Sequence, residues 1–288
     1  MQFRNWVGRW RYVINVDVAW RWIAFAGIVG VTLGGCSPIS VNQERQLGAE
    51  MSREIQGEGK LVRDVAIVEY VNEIGNRLLN AAGPQPFRYR FNVIADEEIN
   101  AFAAPAGYIY VNTGTILKAR NVSELAGIMA HEIGHVVKRH IAENYNRAQT
   151  TSALHQIGVM AAGMAGGQAA ASLANAAGGF ASMAYLNSFG RDAERDADVF
   201  AVHVMARAGY DPRGLVTFFE TLKAEGGPSA PGFLSSHPAT SERIADTTAL
   251  IRNTRLPYNL QLADAGALEQ IQRRIGYTSS SGRRVNWR

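Results

Sequence analysis

The sequence predicts a predominantly helical α+β fold with one small antiparallel sheet, on three observations. Apolar residues recur at helical spacing over 47–55, 62–82 and 192–208, whereas strand-like alternation is confined to 89–111. Between them, an apolar helix carries two histidines four residues apart, His131 and His135. The chain has 288 residues, 47% hydrophobic and 19% charged, which excludes a disordered chain. A chain of this length buries roughly three quarters of its unfolded surface. Its single cysteine, Cys36, excludes an intramolecular disulfide and a metal site of several thiolates.

Residues 1–35 read as a secretory signal: Arg4, Arg9, Arg11 and Arg21 precede an uncharged stretch from Trp22 to Leu33. Twelve apolar residues are too few for a span, which takes about 20. Leu33-Gly34-Gly35-Cys36 resembles the bacterial lipobox, which makes Cys36 the lipidated first residue of the mature chain. Ser37 then favours sorting to the periplasmic face of the outer membrane. Removing 1–35 takes away four Arg and one Asp, so the net charge falls from +4 to +1. Nucleic acid is therefore not an expected partner; the membrane is, through the Cys36 anchor.

Residues 36–42 form a tether, followed by a helix through Leu47, Met51 and Ile55 and a second over Val62–Ala82 that stops at Gly83-Pro84. Tyr89, Phe91, Val93 and Ala95 mark a half-buried strand. Ile99–Ala103 and Tyr108–Val111 flank Ala104-Pro105-Ala106-Gly107, which predicts a hairpin. Ser123 is the expected N-cap of a long helix from Glu124 to Arg147. From Ala148 to Gly190 there is no charged residue, and the small side chains favour close-packed helices or a lid over a membrane span. Helices follow over Asp192–Ala208, closed by Gly209, then after Pro212, and over Thr240–Arg252. The residues around Ser279–Arg284 read as a frayed tail.

The chemistry concentrates in His131-Glu132-Ile133-Gly134-His135. Residues four apart on a helix lie about 40° apart in azimuth, so both imidazoles face one metal. Glu132 then stands beside a water held there, the arrangement of the H-E-x-x-H motif. Two unpaired imidazoles in an apolar helix would otherwise be costly. A zinc site of this kind needs a third protein ligand. A histidine six residues after His135 is excluded, because that position is Ile141. His140 would sit about 140° around a continuous helix from His135. A carboxylate from the helix carrying Glu194 and Asp198, four apart beside an apolar stripe, is the better candidate, with the second acid free to orient an imidazole.

His131-Glu-x-x-His135 followed by Glu194-x-x-Ala-Asp198 resembles the HtpX-like and CAAX-prenyl-protease-like zinc metallopeptidases, in particular their soluble, lipid-anchored periplasmic branch of BepA-like proteins. Asn100–Val111 looks like that family's active-site edge strand, and His237-Pro-Ala-Thr-Ser-Glu-Arg243-Ile its H-P…R-I motif. The resemblance covers about 43–255, taken as a zincin-type peptidase domain, with 256–288 as a partly disordered extension lacking tetratricopeptide periodicity. It implies one Zn2+ on His131, His135 and Glu194, Glu132 as general base, and Asp198 orienting His131. It implies further that His237 stabilises an oxyanion or takes zinc's fourth position at rest, with Arg243 in support. Substrate residues would be Asn100, Ala101, Tyr108, Ile109 and Tyr110. The implied substrates are misfolded or stalled envelope proteins, with outer-membrane assembly machinery as a further partner. A chaperone-like lipoprotein with a structural or latent metal site is the alternative, and an integral membrane protease is a third reading.

Overall fold

Ser40 opens helix α1 (Val41–Gly57) through a capping box: its hydroxyl accepts from the Gln43 amide while the Gln43 side chain accepts from the Ser40 amide. The computed structural model describes residues 39–148, 189–225, 233–238 and 240–280, all within the compact unit Pro38–Arg288. The signal segment, Cys36, most of the charge-free stretch and the tail beyond 280 lie outside the described residues. Helix α1 buries Glu44, Gly48, Met51, Ser52 and Ile55 along one face, against the Pro105–Gly107 turn. There a Cβ on Gly48 would lie 2.1 Å from the Pro105 carbonyl oxygen. Because that obstacle is backbone, Gly48→Ala is expected to cost roughly 1–3 kcal/mol, measured by urea denaturation.

Helix α2 (Val65–Ala82) starts at Asp64, whose carboxylate accepts from the Ala66 and Ile67 amides. It buries Ile67, Val71, Ile74 and Leu78 over strand β1 (Arg90–Ile94). Strands β2 (Ala101–Ala104) and β3 (Tyr108–Asn112) complete a three-stranded sheet in the order β1-β3-β2. The expected hairpin is present, with Phe102 opposite Tyr110, but β1 runs parallel to β3, with Phe91 opposite Ile109. The sheet is therefore mixed. Strand β3 lies in its centre, so Tyr108, Ile109 and Tyr110 do not form the expected edge; β2 does. The outer side of β1 is bonded by Val62 and Lys60, through Val62 N–H to Val93 O and Ala95 N–H to Lys60 O.

A short helix α3 (Thr113–Lys118) leads into α4 (Val122–Val137), the most buried element, with residues 122–136 all inside the core. Its N-cap is Asn121, whose side chain accepts from the Glu124 amide, rather than Ser123. Ser123 instead lies in the first turn, where its hydroxyl donates to the Gln261 carbonyl. The helix is also shorter than expected. It ends at Lys138–Arg139, where Arg139 takes a left-handed φ of 60°, and helix resumes over 140–148 in a new direction.

Helix α5 (Arg191–Ala208) packs on α4 and stops at Gly209, whose φ of 81° is one that an L side chain rarely adopts. Helices α6 (Arg213–Glu225), α7 (Phe233–Ser236) and α8 (Ser241–Asn253) follow, α8 capped by Thr240. The last helix, α9 (Ala267–Ser280), packs on α2 and α3 and places Leu268, Ile271 and Ile275 in the main core. Tyr70 and Arg274 fasten this segment, bonding Asp264 and Asp64 respectively. Among the described residues, no helix is long and apolar enough to cross a membrane.

Candidate metal centre

Helix α4 sets His131 and His135 one turn apart with their Nε2 atoms 3.0 Å from each other. Helix α5 comes close because α4 turns Gly134 toward it: a Cβ there would meet the Ala197 Cα at 3.1 Å and the Phe200 ring at 3.1 Å. That approach delivers Glu194, whose oxygens stand 3.5 Å from His131 Nε2 and 3.5 Å from His135 Nε2. From the end of α7, His237 brings Nδ1 to 2.8 Å from Glu194 Oε1 and 3.3 Å from His131 Nε2. The four donors lie within 4.8 Å of one another, and all four residues are buried.

This donor set fits a metal. Ligand atoms about 2.0–2.1 Å from one tetrahedral centre stand about 3.4 Å apart, and five contacts among these residues, counting either Glu194 oxygen, measure 2.8 to 3.5 Å. Three imidazole nitrogens and a carboxylate oxygen thus converge out of solvent, a donor set that a cation would satisfy.

Glu132 sits beside this cluster, 1% exposed, with neither carboxylate oxygen completing a hydrogen bond. Its Oε1 is 3.5 Å from His237 Nε2, and the Ala103 amide on the outer edge of β2 faces it. Burial pushes its pKa up, against the lowering influence of His237, His131 and that amide. A carboxyl so placed accepts a proton more readily than a solvated one does.

A second ring of charge braces the first. Asp198 Oδ1 lies 2.9 Å from His131 Nδ1. Arg243 grips Asp198 with two bonds of 2.8 and 2.7 Å, touches Glu194 Oε2 at 2.5 Å, and donates to the Pro238 carbonyl beside His237. Its guanidinium also lies over the Phe219 ring, 4.6 Å from the centroid. Burial alone would raise the Asp198 carboxyl, but His131 and Arg243 outweigh it and hold it below its ordinary value. Burial is likewise overcome at Glu194 by the charge of His237 and by bonds from His131 and His135, leaving it well below the carboxylate range. His131 is pushed up to about 9, because Asp198 and Glu194 outweigh its desolvation. At His135 desolvation wins, helped by His131 and His237, and the imidazole falls well below its usual value.

The structure thus brings His131, Glu132, His135, Glu194, Asp198, His237 and Arg243 together. Of the substrate residues expected, Ala101 opens the outer strand β2 and is fully buried, Asn100 just before it turns its carbonyl inward to the Asn112 amide, and Ile109 and Tyr110 are buried in the central strand. Two contributors are not foreshadowed by the sequence pattern. Phe189 stacks on the His135 ring at 3.8 Å and Phe233 on the His237 ring at 4.6 Å, closing the site in apolar walls. His140, set aside on the geometry of a continuous helix, instead places Nδ1 3.0 Å from His135 Nδ1, because the helix breaks at Lys138–Arg139.

The sequence matches Peptidase family M48 over residues 68–251. It is 34% identical over 217 residues to the β-barrel assembly-enhancing protease of Escherichia coli, covering 73% of this chain and 44% of that protein. It is 26% identical over 211 residues to the mitochondrial metalloendopeptidase OMA1 of Schizosaccharomyces pombe, covering 72% and 60%. With the metalloprotease LoiP of Escherichia coli the identity is 30% over 171 residues, covering 59% and 65%. The chain thus spans less than half the length of the assembly-enhancing protease it matches.

Proposed function

The chain belongs to Peptidase family M48, and on that premise we propose that it is a zinc-dependent endopeptidase acting on unfolded or stalled proteins of the bacterial cell envelope. The observation that carries the reading is Glu132: a buried carboxylate with no hydrogen-bonded partner, next to four converging metal donors. A purely structural metal site has no use for it. Imidazole-rich donors at tetrahedral spacing suit zinc better than calcium or magnesium, which take oxygen ligands.

Bound there, zinc supplies a Lewis acid that polarises the scissile carbonyl and lowers the pKa of water. His131, His135 and Glu194 would hold it. Asp198 keeps the proton of His131 at Nδ1, so that Nε2 presents its lone pair inward. Glu132 takes the proton of the attacking water and passes it to the leaving amine. An extended polypeptide would add as a strand to the β2 edge, bonding main chain to main chain at Ala101 and Ala103. Such pairing tolerates most sequences, in keeping with unfolded substrates. Lipidation at Cys36 would hold the enzyme on the periplasmic face of the outer membrane, a setting supported by its likeness to an assembly-enhancing protease.

One observation favours a resting form of the same enzyme. His237 supplies a fourth protein donor, and catalytic zinc sites keep that position open. His237 therefore leaves the cluster before substrate enters and serves the developing oxyanion from its new place. The chaperone-like alternative expects no cleavage under any metal condition. The test is cleavage of unfolded casein by the full chain, first stripped with a chelator and then reloaded. A zinc-dependent endopeptidase loses cleavage on stripping and regains it with zinc; cleavage indifferent to chelation, or absent at every zinc level, overturns the assignment.

A further inference from the structure

We propose that His140 is a positioning residue for the ligand His135, accepting its Nδ1 proton, and that Glu44 and Arg139 hold His140 in place to do so. This rests on the reading of the cluster as a metal site.

An imidazole that gives its Nε2 lone pair to a metal must keep its one proton on Nδ1. For His135, the polar atom facing Nδ1 is His140 Nδ1, at 3.0 Å. Two ring nitrogens at that distance share a single proton. If His140 donated it, His135 would carry its own proton on Nε2, where the metal donors converge. Hence His140 accepts at Nδ1 and bears its proton on Nε2. The two ligands on α4 are then oriented differently: His131 by the anionic Asp198, His135 by a neutral ring.

His140 reaches His135 across the helix break at Lys138–Arg139. The left-handed φ of 60° there costs a non-glycine residue about 1–2 kcal/mol. The compensation is a buried anchor. Arg139 Nε and Nη2 bond Glu44 Oε2 at 3.0 and 2.9 Å, and Nη2 also donates to the Ile39 carbonyl at 2.7 Å. Glu44 is 1% exposed, on the face of α1 that packs against the Pro105–Gly107 turn, where Ala106 is the second left-handed residue of the region (φ 62°). A single carboxylate on α1 therefore secures the turn that aims His140. Phe189, stacked on His135, fixes the ring plane from the remaining side.

The experiment is zinc affinity of the full chain, read by competition with a chromophoric chelator. His140→Leu removes the acceptor and is expected to weaken binding roughly 10–100-fold, the usual effect of losing a partner of a metal-bound imidazole. His140→Asn places a carbonyl oxygen near the Nδ1 position and is expected to recover most of that loss. Zinc bound equally tightly by folded His140→Leu overturns the proposal, as does an Asn variant no better than Leu. Nitrogen-15 shifts of the histidine rings in the unaltered zinc-loaded chain give a second readout that needs no variant. His140 protonated on Nε2 and bare on Nδ1 is the expected tautomer, and the reverse overturns the assignment. If the unaltered chain binds no zinc, the metal reading itself fails; if it binds and only the His140 results go against expectation, the failure is confined to this inference.

Discussion

Glu132→Gln still takes up zinc on the full chain but cleaves unfolded casein about 10²–10⁴-fold more slowly, the span that general acid–base groups contribute. The amide has nearly the shape of the carboxylate, so the walls of the site and the four donors stay as they are. What changes is proton affinity. The carboxylate of Glu132 is desolvated, lacks a completed hydrogen bond and has its pKa raised by burial, so it is suited to receive a proton that the amide cannot take. The comparison of kcat/KM is made at saturating zinc, with metal content measured on the same samples. Equal rates would remove Glu132 from the chemistry, whatever the zinc occupancy.

Arg243→Met is expected to destabilise the metal-free chain by about 3–5 kcal/mol, the cost of breaking a buried ion pair from one side. Arg243 bonds Asp198 twice and Glu194 once, and both acids are nearly out of solvent, at 3% and 2% exposure. Without the guanidinium, two buried carboxylates stand one turn apart on one face of α5 with only imidazoles to compensate them. The loss of the bond to the Pro238 carbonyl also frees the chain beside His237. Urea denaturation of chelated protein measures the change without the contribution of metal binding. A loss below about 1 kcal/mol, as for an exposed pair, would mean that Arg243 does not hold this site together.

How far the site is legible in the sequence depends on whether its signal is local. His131, Glu132 and His135 are readable because one helical turn contains the whole arrangement. Glu194 and Asp198 are readable for a similar reason, since two acids four apart beside an apolar stripe stand out from a solvated face. His140 is not, because five residues along an unbroken helix point it away from His135, and nothing in Val137-Lys138-Arg139 announces a break. The break depends on Glu44, 95 residues earlier. An acid on the otherwise apolar stripe of Leu47, Met51 and Ile55 is the available clue. The hairpin of β2 and β3 is likewise visible in the Pro/Gly turn between them. Which of its strands is the edge is not, since that follows from β1 docking parallel on β3, a pairing between distant segments.

Gly134 has a bearing on how closely the donors of the centre can gather. Helices α4 and α5 meet there almost backbone to backbone, so the span from the His131–His135 pair to Glu194 is set by an interhelix distance and hardly by side-chain rotamers. The helix pair works as a calliper. Closed on Gly134, it holds the donors at a gap matching metal–ligand bonds of about 2.0–2.1 Å. Wedged apart by even a methyl group, it would carry Glu194 away from the two imidazoles and loosen the donor set. The tightness of the donor set is thereby entrusted to a residue that carries no side chain.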